Sequence, residues 1–356
     1  MMTPKGVLKT PKTCSIERIP QLPMLRVLAC IGIIVLHTVF AADEYFAESI
    51  DSVQYLASRM VENNMMWAVP VFVMVTGTLQ LDVRRQLTWH KLFGRYILRV
   101  LLALIACCIF FRIFDMIMDG EGFSAPGLGL AFVELLTGHC WGHLWYLYLL
   151  IGLYLMLPFY RIIVQQASDR MLWYLGGLYL LFISIIPLIE GFGIPIAFYI
   201  SESIIYPLYL FLGYMIVFDR LPIGRGTGLL LLIVSTALIL TLDYMKYGLS
   251  MEVPKELFGY ASPLVIAQAI GVFTLISKGW SSYGKASRLV QLLDECSFGI
   301  YLIHMIFIRL LFRYMQWDPY QGASVLAMAA VVLGNLVLSF AIVWLLKKIP
   351  GVRWVL

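Results

Sequence analysis

The chain alternates between apolar runs of about twenty residues and short polar segments that carry most of its charges. About twenty helical residues rise 30 Å, which matches the thickness of the hydrocarbon core of a bilayer. The pattern therefore predicts an all-α, polytopic membrane helix bundle with about ten transmembrane helices. The predicted spans are 22–42, 61–81, 96–116, 143–164, 171–190, 199–218, 228–247, 258–278, 297–316 and 325–346. A shorter apolar stretch, Leu128–Leu136, is predicted to be interfacial or re-entrant.

Composition supports this class of protein. Hydrophobic residues make up 61% of the chain and charged residues only 13%, whereas soluble domains carry roughly a quarter charged residues. A secreted disulfide scaffold, a disordered chain and a cytosolic enzyme are excluded. The net charge of +5 is not a nucleic-acid signature by itself, so the expected surroundings are a lipid bilayer and no nucleic-acid partner is predicted.

The distribution of Lys and Arg predicts the orientation, because cytoplasmic loops are enriched in both. With a cytoplasmic N-terminus, twenty of the 26 Lys and Arg residues fall on the inner side. The six exceptions are Arg59, Arg112, Lys246, Lys255, Arg309 and Arg313. Both termini are therefore predicted to be cytoplasmic, with an N-terminal segment 1–20, a transmembrane domain 21–348 and a short tail 349–356. A cleaved signal peptide is the alternative for the first span, but Arg26 interrupts its apolar run.

Cysteine usage predicts no disulfide framework. Of the six cysteines, only Cys140 is expected to reach the outer face, so no partner is available there. His139 and His143 have the spacing of a zinc pair. Gly138 and Gly142 weaken a helix at that point and no third ligand is evident, so no metal site is predicted.

Arg26 and His37 are the most informative intramembrane polar residues. They are eleven residues apart, which on a helix is about 16 Å of rise and only about 20° from the same face. An ionisable residue within a span is a candidate functional group by default. The alternative is that Arg26 snorkels to the inner headgroups and His37 is a hydrogen-bonded residue of the bundle.

Three further groups carry candidate chemistry. Lys91, Arg95 and Arg99 follow at a spacing of four, as on one helical face, and would suit phosphate groups, although a topogenic positive loop explains them equally. His143 and Trp145 open the fourth span, where an aromatic belt is the alternative. Tyr301 and His304 share a face of the ninth span, and a polar pair between helices is the alternative there.

Four segments, in this order, resemble signatures of the acyltransferase 3 family of integral membrane O-acyltransferases. They are Leu25-Arg26 to Leu36-His37, Pro70 to Gly77 with Thr76 where the family usually has Ser, His143 to Leu147, and Ser297 to His304. Members commonly carry Arg-x-x-Arg after the second span, whereas this chain has Arg95-x-x-x-Arg99 with Lys91 ahead, so the equivalent pair stays open.

The resemblance implies a multi-pass protein of the bacterial cytoplasmic membrane. Such a protein transfers an acyl group, acetyl by default, from cytoplasmic acyl-CoA to a hydroxyl of a cell-envelope glycan or related acceptor. No cofactor is expected beyond the donor. A transporter or exporter of acylated or glycan intermediates is the alternative, and a homo-oligomer stays open. The implied roles are general base or transient acyl carrier for His37, charge neutralisation for Arg26, donor binding for Lys91, Arg95, Arg99, Tyr301 and His304, and the acceptor side for His143 and Trp145.

Overall fold

The computed structural model describes residues 21–197, 205–279 and 287–355, and every regular element in these ranges is helical. The all-α prediction is therefore confirmed for this part of the chain. The predicted segment 1–20 and the start of the predicted span 199–218 lie outside the described residues. The main helices are α1 Leu22–Tyr45, α2 Ser52–Met65, α3 Ala68–Gln80, α4 Trp89–Met118, α5 Ala125–Thr137, α6 Gly142–Gln166, α7 Asp169–Gly191, α8 Tyr206–Val217, α9 Arg225–Gly248, α10 Pro263–Gly279, α11 Arg288–Tyr314, α12 Ser324–Leu346 and α13 Pro350–Val355.

Within the described ranges, seven helices are long and apolar enough to cross a membrane, namely α1, α4, α6, α7, α9, α11 and α12. Helices α3, α8 and α10 occupy three other predicted spans but have only 13, 12 and 17 residues. The predicted span 61–81 is divided, because α2 ends at Met65 and α3 begins at Ala68. The stretch predicted to be too short to span forms α5, of 13 residues.

Helix α1 is the central element and packs against α2, α3, α11 and α12. Polar or sulfur groups of α1 and α11 meet at three levels: Arg26 with Asp294, Cys30 with the carbonyl of Ser297, and His37 with His304. Because the residue numbers rise in the same order on both helices, α1 and α11 run parallel. The face of α1 that holds Arg26 and His37, which their spacing predicts, therefore lies against one face of α11.

Two glycines allow α3 and α8 to cross with their backbones in close contact. A Cβ on Gly77 would lie 2.0 Å from the carbonyl oxygen of Leu210, and a Cβ on Gly213 would lie 2.0 Å from that of Met74. No side chain fits at either position without moving a helix. The close crossing holds the Pro70 to Gly77 segment beside α1, which α3 also contacts.

A disulfide joins Cys108 of α4 to Cys140, just before α6. The prediction that no disulfide partner is available for Cys140 is therefore wrong. Helix α5 folds back onto α4 and returns the chain to the level of Cys108. Apolar periodicity places Cys108 within a predicted span and Cys140 outside one, and it gives no information on the fold-back that brings the two together.

Candidate active site

Three histidines from separate helices form one cluster. His37 comes from α1, His143 from the first turn of α6 and His304 from α11. The ring centroids lie 5.0 Å apart for His37 and His304, 5.3 Å for His143 and His304, and 6.3 Å for His37 and His143. His143 and His304 are buried, whereas His37 is partly exposed. The structure thus brings together three residues that the sequence marks on different spans.

Hydrogen bonds define the protonated nitrogen of each ring. Nδ1 of His304 lies 2.7 Å from the carbonyl oxygen of Tyr301, and because a carbonyl only accepts, this nitrogen carries the proton and donates. In a neutral ring, Nε2 of His304 is then the acceptor. It receives a hydrogen bond from Nδ1 of His37 across 2.7 Å. The Nε2 atom of His37 is consequently left with a free lone pair.

Two ring nitrogens of the cluster have no protein partner among the described residues. Nε2 of His37 is one of them, and His37 is the half-buried ring of the three. His143 donates from Nε2 to the carbonyl oxygen of Leu302 at 3.1 Å, which leaves Nδ1 as an acceptor. That Nδ1 is buried and unpartnered. The cluster therefore presents two basic lone pairs.

Tyr301 supports this cluster from α11. Its hydroxyl donates to the backbone carbonyl of His143, and its ring centroid lies 5.8 Å from that of the His143 ring. Tyr301 and His304 therefore both lie at the level of His37. Trp145 belongs to a neighbouring aromatic group, with ring centroids 5.7 Å from those of Tyr206 and Tyr260.

At the other end of the α1–α11 contact, Arg26 pairs with Asp294. Nη2 of Arg26 donates to Oδ2 of Asp294 at 2.8 Å, and Nε lies 2.6 Å from Oδ1 as an ion pair without the geometry of a hydrogen bond. Side-chain exposure is 33% for Arg26 and 12% for Asp294. Sequence analysis missed Asp294. Its signal was the ten-residue separation from His304, which nearly repeats the eleven residues from Arg26 to His37.

The three predicted phosphate-binding cations are placed differently from one another. Leu92–Ile97 is π-helical, and because π-helical hydrogen bonds span five residues, a spacing of four does not repeat along it as in an α-helix. Lys91 and Arg95 are exposed. Arg99 is half-buried, with its guanidinium 5.2 Å from the centre of the Phe298 ring.

Arg26 and Arg99 lie near a common neighbour at this end of the bundle. Tyr154 of α6 is within electrostatic range of both guanidinium groups. This end of the contact is thus cationic and aromatic. Among the described residues, no three His, Cys, Asp or Glu side chains are arranged to hold a metal ion.

A family model described as an acyltransferase domain matches residues 19–344. The match covers all the residues of the histidine cluster and both members of the Arg26–Asp294 pair. Comparison with curated proteins and with solved structures finds no match.

Proposed function

The chain belongs to the acyltransferase 3 family, and from that premise we propose that it transfers an acyl group, acetyl by default, from cytoplasmic acyl-CoA to a hydroxyl on the outer side of the membrane. The observation that carries the proposal is the hydrogen bond between His37 and His304. It leaves Nε2 of His37, on the half-buried ring of the cluster, unprotonated and fixed in orientation. A base held in this way is what attack of a hydroxyl on a thioester requires.

In the proposed reaction, the acceptor oxygen forms a bond to the acyl carbon while its proton moves to Nε2 of His37. The carbon–sulfur bond breaks and the thiolate of CoA leaves. The ring of His37 stays in place because its Nδ1 proton is held by His304, which is itself held by the carbonyl of Tyr301. In the nucleophilic variant, the same Nε2 attacks the thioester and carries the acyl group as an acyl-imidazole.

Donor binding is assigned to the cations at the other end of the α1–α11 contact. Arg26 faces Asp294, and Arg99 lies beside Phe298 of the same helix. Lys91 and Arg95 are exposed at the start of α4, where they can meet the phosphates of CoA. His143 and Trp145 are assigned to the acceptor side.

The disulfide supports this orientation. Disulfides persist outside the reducing cytoplasm, and Cys140 lies three residues before His143. The excess of Lys and Arg at the opposite side supports the same arrangement. Together with the family, this favours a bacterial cytoplasmic membrane enzyme that acts on an envelope glycan or a related hydroxyl compound.

The test is thiol release from labelled acyl-CoA by the purified protein in liposomes, with hydroxyl acceptors on the other side. We expect His37→Ala to lower the rate by about 10²–10⁴-fold, the usual contribution of a general base. The matched control is His90→Ala, because His90 is exposed and outside the cluster. Equal rates for the parent and His37→Ala would refute the role of His37. A parent that binds but never consumes acyl-CoA would point to a transporter.

A further inference from the structure

A cavity of about 220 Å³ lies between the last turns of α7 and the loop that leads into α10. Its polar lining consists of Ser184 from α7 and of Lys255, Glu256 and Ser262 from the loop. Its volume is sufficient for several groups the size of a water molecule. No described lining residue belongs to the histidine cluster, to the ion pair between α1 and α11 or to the cations assigned to the donor. The cavity is therefore separate from the site described above.

Helix α7 departs from regular α-helix beside this cavity. Leu180–Ile185 is π-helical, and Pro187, which follows it, has no N–H to offer to the carbonyl of Ile183. Ser184 lies in the π-helical turn and is only 2% exposed. Its hydroxyl has no hydrogen-bond partner in the described ranges. A buried hydroxyl without a partner costs free energy, which a polar ligand atom in the cavity would recover.

The carboxylate of Glu256 lies at the C-terminal end of α7. A Cβ on Gly191, the last residue of α7, would clash with Oε2 of Glu256, so a glycine at this position lets the carboxylate approach the helix. Glu256 is half-buried, and its side chain forms no ion pair or hydrogen bond with another described residue. The C-terminus of a helix carries a partial negative charge. The carboxylate and the helix end therefore attract a cation together.

Lys255 supplies the opposite charge on the same wall. Its side chain is exposed and has no ion pair within the part of the chain that the structure describes. Lys255–Leu257 is a 3-10 turn, in which neighbouring side chains diverge by about 120°, so Lys255 and Glu256 stay apart. The cavity thus presents an unpaired anion and an unpaired cation side by side. A ligand that carries both charges matches it better than a ligand that carries one.

The cavity borders the surface that faces lipid. Leu181 and Ile185 lie near Ser184 on α7 and are 45% and 37% exposed, and Phe192 just beyond the helix is 62% exposed. Apolar side chains exposed on a membrane-spanning helix contact hydrocarbon. Ser184 is seven residues before Gly191, which is about 10 Å along the helix axis. The cavity therefore lies in the last turns of a span, where hydrocarbon gives way to polar headgroups.

We propose that this cavity binds a zwitterion in which a short carbon chain joins a primary ammonium to a phosphate, the ethanolamine phosphate head of a membrane lipid. The ammonium donates to Glu256 at the end of α7. The phosphate accepts from the ammonium of Lys255 and from the hydroxyl of Ser184. The hydrocarbon chains of the lipid follow the exposed apolar side of α7. Binding involves no acyl transfer, so the site is independent of the proposed function.

The first test compares lipids that share acyl chains and differ in the head group. Native mass spectrometry of the detergent-solubilised protein measures binding of phosphatidylethanolamine, phosphatidylcholine and phosphatidylglycerol. We expect phosphatidylethanolamine to bind best, because the choline head has no N–H for Glu256 and the glycerol head has no cation. Free ethanolamine phosphate is measured in parallel. Binding of the free molecule without the lipid would support the ethanolamine phosphate chemistry and overturn a membrane lipid as its source.

The second test uses variants of the lining. Glu256→Gln should weaken binding of phosphatidylethanolamine about tenfold, because a hydrogen bond to a charged group is lost, and should leave phosphatidylglycerol unaffected. Ser184→Ala should weaken it about fivefold without lowering the unfolding temperature, because the hydroxyl has no partner among the described residues. The matched control is Glu252→Gln, since Glu252 is exposed on the same loop and outside the lining.

Three results would overturn the assignment. They are equal binding of the three lipids by the parent, binding of phosphatidylethanolamine by Glu256→Gln as tight as by the parent, and an equal loss in Glu252→Gln. The last result would show that the general charge of this loop, and not the cavity, attracts the lipid.

Discussion

The two ends of the α1–α11 contact use the same pair of parallel helices for opposite purposes. Arg26 and Asp294 meet as an ion pair at one end, and His37 and His304 meet as neutral rings about 16 Å further along. The ion pair is partly exposed, whereas His304 is fully buried. An isolated charge in an apolar interior is costly unless it is paired, so the charged Arg26 has Asp294 beside it, whereas the buried His304 meets His37 as an uncharged ring.

The two ends also differ in the kind of group that lacks a hydrogen bond. Nη2 of Arg26 donates to Oδ2 of Asp294, whereas Nε of Arg26 and Oδ1 of Asp294 lie 2.6 Å apart without the geometry of a hydrogen bond. The histidine end keeps two lone pairs without protein partners, on His37 and His143. An opposite charge balances the guanidinium of Arg26, whereas a lone pair on an uncharged ring can accept a proton. The two ends of one helix pair therefore differ in what they offer a substrate: a paired charge at one end and a free base at the other.

The largest expected effect is on the rate of acyl transfer, and it comes from a substitution at the histidine end alone. His37→Gln keeps a polar side chain beside His304 but removes the base, so we expect acyl transfer to fall by about 10²–10⁴-fold. The unfolding temperature should stay close to that of the parent, because no charge is left unpaired. Transfer rates and thermal unfolding of the same preparations check this. A folded variant that transfers the acyl group at the parental rate would show that the histidine end does not supply the base.

The next effect is on the free energy of unfolding, and it comes from a substitution in the Arg26–Asp294 pair. Arg26→Met leaves Asp294 without its partner in a mostly buried position, and we expect a loss of about 3 kcal/mol in the free energy of unfolding. The double variant Arg26→Met/Asp294→Leu should recover most of it, since no lone charge remains. Thermal unfolding of both variants in detergent measures this. A double variant no more stable than Arg26→Met would contradict the interpretation as an ion pair.

A smaller effect is expected where one histidine acts through the other. His304→Gln removes the acceptor that holds the Nδ1 proton of His37, so His37 loses its preferred tautomer and orientation. We expect kcat to fall about tenfold with the donor KM unchanged. A change confined to the donor KM would instead place His304 on the donor path.

The smallest effect concerns Tyr301. Tyr301→Phe removes the hydrogen bond to the carbonyl of His143 and leaves the ring in place. One neutral hydrogen bond is worth about 1 kcal/mol, so transfer should fall no more than about fivefold. The acceptor KM should carry the change, because the proposed function assigns His143 to the acceptor side. A loss as large as that of His37→Gln would give Tyr301 a direct chemical role.

Arg26, His37 and His304 can be singled out from the sequence, but their contacts with one another and with Asp294 cannot. Helical spacing put Arg26 and His37 on one face, and His304 stood out as an ionisable residue within a span. Spacing is a property of one helix and does not show which helices pack together. Asp294 was therefore missed as the partner of Arg26, and His37 was not paired with His304.

The errors elsewhere have the same origin. Cys108 and Cys140 pair only because α5 folds back, which is a tertiary event without a local signal. The π-helical turn at Leu92–Ile97 changes the relation between Arg95 and Arg99 although the apolar pattern continues through it. Apolar periodicity predicted the class of fold, whereas close packing and local changes of helix type decided the geometry.

The hydrogen-bonded chain from His37 through His304 ends at the carbonyl of Tyr301, and a backbone carbonyl cannot pass a proton on. If the acceptor meets His37 from outside, its proton is released outside, while the thiolate of CoA takes a proton from the cytoplasm. Each turnover then moves one positive charge outward. Against a potential that is negative inside, this costs about 2.3 kcal/mol per 100 mV. Membrane voltage would therefore help to set how far acylation proceeds.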